Sequence, residues 1–119
     1  MAWEVEYSDE FEAWWASLTK AEQVSVAASV NLLEARGPNL GHPHSSAING
    51  SRHGNMRELR TQNAGRPLRT LYAFDPRRMA ILLIGGNKTG DDRWYDVHVP
   101  IADRLYDDHL QQLKHEGEM

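Results

Sequence analysis

Met56-Arg57-Glu58-Leu59-Arg60 and, after a polar turn, Leu68-Arg69-Thr70-Leu71-Tyr72-Ala73-Phe74 read as the two strands of a hairpin. A Glu and three Arg stand where a buried strand is normally apolar, among Leu, Tyr and Phe neighbours. Such a strand pair is either an exposed sheet face or a working one. The turn between them is read as Thr61-Gln62-Asn63-Ala64-Gly65-Arg66, with the second strand from Pro67 to Phe74. Asp75-Pro76-Arg77-Arg78 then makes a tight turn, with Pro at its second position. Met79-Ala80-Ile81-Leu82-Leu83-Ile84 is apolar on both faces and reads as a central strand.

The charge pattern isolates the same stretch. The chain of 119 residues has net charge −4, which divides into −5 over residues 1–51, +6 over 52–88 and −5 over 89–119. A basic centre in an acidic chain attracts polyanions locally, or pairs with the acids of flanking helices. The length fits one domain, 1–119, that buries roughly 65% of its unfolded surface without a staple. With no cysteine, disulfides, thiolate zinc sites and cysteine nucleophiles are all excluded. No apolar run reaches ~18 residues, so no membrane helix is expected. The acidic start, with Glu4, Glu6, Asp9, Glu10 and Glu12, is wrong for a targeting peptide, and the expected compartment is the cytoplasm.

Outward from the hairpin, Trp3, Val5 and Tyr7 alternate with Glu4 and Glu6 as in a half-buried strand. Ser8 caps a short helix bearing Phe11, Trp14, Trp15 and Leu18, and Thr19-Lys20-Ala21-Glu22 is a capping box opening a second. That helix stops at Gly37-Pro38, so the two form a helical hairpin. Residues 39–55 read as a loop. His42, His44 and His53 lie in it, and the His42-Pro43-His44 pair has no third ligand at helical or hairpin spacing, so they read as solvated loop histidines and no metal or other cofactor is expected. Residues 85–92 read as a Gly-rich loop. A final helix carries Ile101, Leu105 and His109 on one stripe, its register favouring a start near Arg93 over one at Pro100, with 114–119 as a frayed tail. The fold class is α+β: an N-terminal strand and helical hairpin, a three-stranded antiparallel meander and a C-terminal helix.

Turn geometry brings chemistry together. Pairing residue 75 with 78 sets Arg69 opposite Ile84, with Lys88 just past the sheet edge. Pairing Arg60 with Pro67 sets Glu58 across from Arg69, whereas a one-residue shift substitutes Leu59 and swaps the faces. In the first register Glu58, Arg60, Arg69 and Lys88 converge. Arg69 and Lys88 suit a phosphate and the charge on a five-coordinate phosphorus. Glu58 suits a general base toward a hydroxyl, and Tyr95 a stacking or hydrogen-bonding contact to a base. The plainer reading is a Glu58–Arg69 cross-strand ion pair worth ~0.2–1 kcal/mol.

Met56-Arg57-Glu58-Leu59-Arg60, Arg69-Thr70-Leu71-Tyr72, Ile81-Leu82-Leu83-Ile84 and the following Gly85-Gly86-Asn87-Lys88-Thr89, in this order, resemble the HigB branch of the RelE/ParE toxin superfamily. The resemblance implies a RelE-like domain and a toxin held by a helix-turn-helix antitoxin. It implies metal-free cutting of mRNA on the ribosome through the 2′-hydroxyl. Arg69 matches the family's arginine, Lys88 its basic residue after the last strand, and Tyr95 an aromatic beyond it. Glu58 stands where RelE has a lysine, as in HigB-like members, and the resemblance selects the register that sets Glu58 beside Arg69. His53 is a rival acid or base just before the strand. On this reading Arg69, Lys88, Glu58 and Arg60 form the catalytic set, and Arg57, His53 and Tyr95 contact the RNA. A ParE-like inhibitor of gyrase, or an inactive relative working only in its antitoxin complex, are the alternatives.

Overall fold

A computed structural model describes residues 2–118, so Met1 and the last residue of the expected tail, Met119, lie outside the described residues. Strand β1 (Val5–Tyr7) leads into helices α1 (Asp9–Ser17) and α2 (Lys20–Arg36). Strands β2 (Ser45–Ala47), β3 (Arg57–Asn63), β4 (Arg66–Phe74) and β5 (Ala80–Asn87) follow, and helix α3 (Trp94–His115) closes the chain. The strands form one five-stranded sheet in the order β1-β5-β4-β3-β2. β1 runs parallel to β5, and the other pairs are antiparallel.

The expected caps hold the helical hairpin. Ser8 accepts from the Phe11 N–H at 3.0 Å and donates to the Leu83 carbonyl, tying α1 to the sheet. Thr19 and Glu22 exchange both capping-box bonds. α3 takes the longer form, with Pro100 inside it.

Alternation along the strands builds a core on each face. Leu59, Leu68, Tyr72, Ala80 and Leu82 pack with Phe11, Val26 and Leu33 of the helical hairpin. Leu71, Ala73, Ile81 and Leu83 pack on the other face with Trp94, Val99, Ala102, Leu105 and Tyr106 of α3. Burying about ten large side chains at ~1.5–3 kcal/mol each makes these two layers the main source of stability.

Four sequence expectations are corrected. Residues 85–87, read as the start of a Gly-rich loop, continue β5 to Asn87 and pair with β4. The first turn is Ala64-Gly65 alone, with φ of 51° and 77°, and Asn63 pairs with Arg66. Two successive positive φ values make the type I′ turn that suits strand twist, so the strands run further than their polar composition implied. Arg60 therefore faces Arg69, and Glu58 faces Leu71. In the second hairpin, Asp75 N–H reaches the Met79 carbonyl, making the turn one residue longer than expected. Leu83 then bulges out of the ladder, and Arg69 faces Gly86 instead of Ile84. At Arg69 both registers differ from the expected ones by two residues, so Glu58, Arg60, Arg69 and Lys88 keep a common face, whereas Ala80, Ile81 and Leu82, paired before the bulge, are shifted by one and exchange faces relative to β4. Finally, β2 occupies part of the expected 39–55 loop. Ser45-Ser46-Ala47 has no apolar alternation to announce a strand, and its pairing with β3 is supported by side-chain bonds from Ser45 to Tyr72 and Ser46 to Glu58.

Candidate functional site

Glu58 and Arg60 on β3 and Arg69 on β4 share the α3 face of the sheet, beyond the end of the apolar layer. Arg60 and Arg69 are directly opposite, an arrangement of like charges that destabilises a sheet unless something neutralises it. Glu58 sits on the diagonal from Arg69, where long side chains still meet. Its Oε1 lies 3.4 Å from Arg69 Nε, an ion-pair distance without hydrogen-bond alignment, so the buried Nε has no hydrogen-bond partner among the described residues. Arg69 is 3% exposed and anchored by Nη1 donating to the Leu68 carbonyl at 3.0 Å, and Glu58 is 7% exposed.

Helix α3 and the end of β5 complete the site. Tyr95 donates its hydroxyl to Glu58 Oε1 at 2.5 Å, while Ser46 donates to Oε2 at 2.7 Å. Burial, then the hydrogen bond to Glu58 and its charge, push the Tyr95 hydroxyl above its ordinary pKa of 10.0, with Arg69 pulling the other way. Tyr95 therefore stays protonated and donating at neutral pH. Lys88 follows the last residue of β5, its N–H bonded to the Pro67 carbonyl, and its ammonium lies 5.2 Å from the Tyr95 ring centroid. Gly86 has no side chain because the Trp94 indole fills that space: a Cβ there would stand 2.5 Å from Nε1. Trp94 is buried and stacks on His98 at 4.2 Å, which fixes the first turn of α3 over the sheet.

The structure thus brings together Glu58, Arg60, Arg69, Lys88 and Tyr95. Arg57 is turned to the other face of β3, where it donates to Ser45 Oγ at 3.1 Å and reaches the Leu40 carbonyl. His53 is bonded to Asp107 at 2.8 Å and packs edge-on against Tyr106 at 4.7 Å. Asp107 is three turns along α3 from Tyr95, roughly 18 Å at 1.5 Å per residue. Hydrogen bonds from Arg52 and then His53 hold the Asp107 carboxyl below its ordinary value, so His53 helps tie residues 51–53 to the helix. Two site neighbours escaped the sequence reading. His42, expected to be merely solvated, accepts from Arg60 Nη1 at 2.8 Å, and Ser46 orients Glu58. Neither has a local signal, because both depend on β2 pairing with β3.

Residues 13–107 match the family model described as phage-derived protein Gp49-like. The chain is 48% identical over 94 residues to a Mycobacterium tuberculosis protein bearing the toxin name HigB3, covering 78% of this chain and 81% of that one. It is 42% identical over 108 residues to another from that organism, bearing the toxin name HigB2, covering 89% of this chain and 54% of the relative. Among solved structures, a variant of the E. coli toxin RelE in the free state superposes with TM-score 0.58 at 9% identity, covering 95% of this chain and 99% of that one. The toxin of an archaeal RelE–RelB complex from Pyrococcus horikoshii OT3 superposes with TM-score 0.55 at 15% identity, covering 74% and 97%. These structural likenesses establish the RelE-like fold. The chain belongs to the Gp49-like/HigB toxin family.

Proposed function

We propose that this member of the Gp49-like/HigB family is the toxin of a toxin–antitoxin pair that cuts mRNA on the ribosome. The observation that carries the reading is the facing of Arg60 and Arg69 on one side of the sheet beside a single carboxylate, Glu58. A phosphodiester is the ligand that relieves this like-charge pairing. Its bridging and non-bridging oxygens accept from both guanidinium groups and from Lys88, and the same groups stabilise the extra charge when a 2′-hydroxyl attacks the adjacent phosphorus.

Glu58 is the base within reach of that hydroxyl. Its oxygens are held by Tyr95 and Ser46, so it takes the proton once the substrate draws the Tyr95 hydroxyl away. Tyr95 then bonds the phosphate or stacks on the neighbouring base. The P–O bond to the 5′ oxygen breaks, the 5′ oxygen takes up a proton from solvent, and a 2′,3′-cyclic phosphate remains at the 3′ end of the upstream fragment. His42, on the outer side of Arg60, extends the face toward the next phosphate. The partner is a cognate helix-turn-helix antitoxin, in line with RelE-like neighbours that were solved bound to RelB.

Primer extension on translated mRNA tests the reading. Induced wild type gives new 5′ ends within codons, and Arg69→Ala gives none while remaining folded by circular dichroism. DNA damage with intact mRNA would instead mean a gyrase-directed toxin.

A further inference from the structure

Far from the basic face, β1, the start of α1 and the second half of α3 enclose an open groove of about 660 Å³. Val5, Ile81, Leu83, Leu105 and Leu113 give it an apolar floor. Tyr7 stands at its lip, 56% exposed, one of three exposed large hydrophobic residues among those described. β1 is an outermost strand, so one edge of Val5–Tyr7 has no strand beside it. The rim is acidic. Asp9, Glu10, Asp108 and Glu116 line it, and none forms an ion pair with another described residue. The basic groups that face the groove are already engaged: Arg77 with Asp75 and Glu6, and His109 with Asp75. The groove is therefore an apolar trough in a negative field, which repels RNA and attracts cations.

We propose that this groove receives a basic, amphipathic segment of the antitoxin, with two or three apolar side chains on the floor and Lys or Arg against the rim. The proposal rests on the toxin reading and adds to it the surface that holds the partner. Charge complementarity selects the occupant: the four rim carboxylates, none in an ion pair with another described residue, favour cations set beside apolar contacts, which a short polypeptide segment supplies in one piece. The groove reaches α3 only from Leu105 onward, roughly 15 Å along the helix from Tyr95, so a segment seated there leaves the Arg60–Arg69 face uncovered.

The test uses the full-length protein encoded by the adjacent helix-turn-helix reading frame, titrated calorimetrically into this chain in an Arg69→Ala background. Glu10→Lys/Asp108→Lys changes two exposed rim groups. It is expected to weaken binding about tenfold or more and to flatten its salt dependence. The neutral Glu10→Gln/Asp108→Asn pair is expected to weaken it about threefold, which guards against a folding artefact of charge reversal. With Arg69 restored, the Lys variant still arrests growth, but co-expressed antitoxin no longer rescues it. Affinity within twofold of the parent, or binding that is lost with Arg60→Glu and kept in the groove variant, overturns the proposal, as does a toxin that self-associates through this groove. If the wild-type chain neither arrests growth nor binds that protein, the toxin reading fails with it. Growth arrest with groove-independent binding removes only the groove.

Discussion

Strand β4 meets buried charge at each end, and the two ends are solved differently. Just past Phe74, the Asp75 side chain has no exposed surface and is fully engaged. It accepts from the Arg77 backbone at 2.8 Å, the Arg77 guanidinium at 2.7 Å, His109 at 2.8 Å and the Met79 N–H at 3.3 Å. At the other end Arg69 faces a second arginine, and its Nε has no aligned acceptor. A buried charge with every lone pair bonded holds a turn and a helix in place. A buried charge short of acceptors, set against its own kind, is poised for an incoming anion. Under the proposed function, the contrast separates charge kept for structure from charge kept for chemistry.

Exchanging the damage at the two ends gives the sharpest way to break that contrast. Arg69→Ala should lower cleavage by about 10²–10³-fold, as removal of a transition-state donor does, and cost less stability than Asp75→Asn, because relief of the facing Arg60 offsets part of the loss of Glu58's partner. Asp75→Asn should cost about 3 kcal/mol in denaturant unfolding, the scale of breaking a buried ion pair, with cleavage per folded molecule unchanged. If Arg69→Ala unfolds the chain while Asp75→Asn is silent, the assignment is reversed.

Adjacent glycines of β5 refine it. A Cβ on Gly85 would lie 2.3 Å from the Trp14 ring, and one on Gly86 2.5 Å from Trp94. Each Gly→Ala change should cost about 1–3 kcal/mol by overpacking, and only Gly86→Ala, which moves the helix turn bearing Tyr95, should also reduce cleavage. Tyr95→Phe comes next. It removes one donor from Glu58 and should lower cleavage by about tenfold, on the scale of one charged hydrogen bond, with Ser46 still holding the other oxygen.

Titration should show the smallest effects, at opposite ends of the scale. Burial raises the Asp75 carboxyl, but hydrogen bonds from Arg77 and His109 outweigh it and keep the folded value below the ordinary 3.8. Its contribution is complete above the unfolded value and is lost as pH falls through the folded one. Tyr95 is raised, so its contribution is complete below the ordinary 10.0 and is lost as pH climbs through the folded value. Melting curves against pH should steepen in acid for the parent and flatten there for Asp75→Asn, while Tyr95→Phe should flatten only the alkaline side.

Much of the fold was legible because its signals are local. Ser8, the Thr19–Glu22 box, the Gly37-Pro38 stop and the apolar run through Ile84 each act within a few residues. The shared face of Glu58, Arg60 and Arg69 was legible from an assumed register and holds because the real one differs from it by an even count, while Lys88 joins them only because the Leu83 bulge offsets the longer turn. What stayed hidden depends on distant partners. Arg57 carries the same charge as Arg60, yet its odd spacing turns it toward Ser45. His53 precedes the strand in sequence but is captured by Asp107 of the last helix. Ser45-Ser46-Ala47 becomes a strand only because β3 offers an edge and Tyr72 and Glu58 offer bonds.

The bulge at Leu83 has a further meaning as a parity correction. A sheet records each side chain as up or down, so a miscount of one inverts everything downstream, while two miscounts cancel. The long Asp75–Met79 turn supplies the first, and the bulge supplies the second. Were Leu83 drawn into the ladder, Arg69 would stand against Gly85, and Gly86 and Lys88 would swing toward the helical hairpin. Insertions between Leu83 and Lys88 should therefore be tolerated in twos and not in ones.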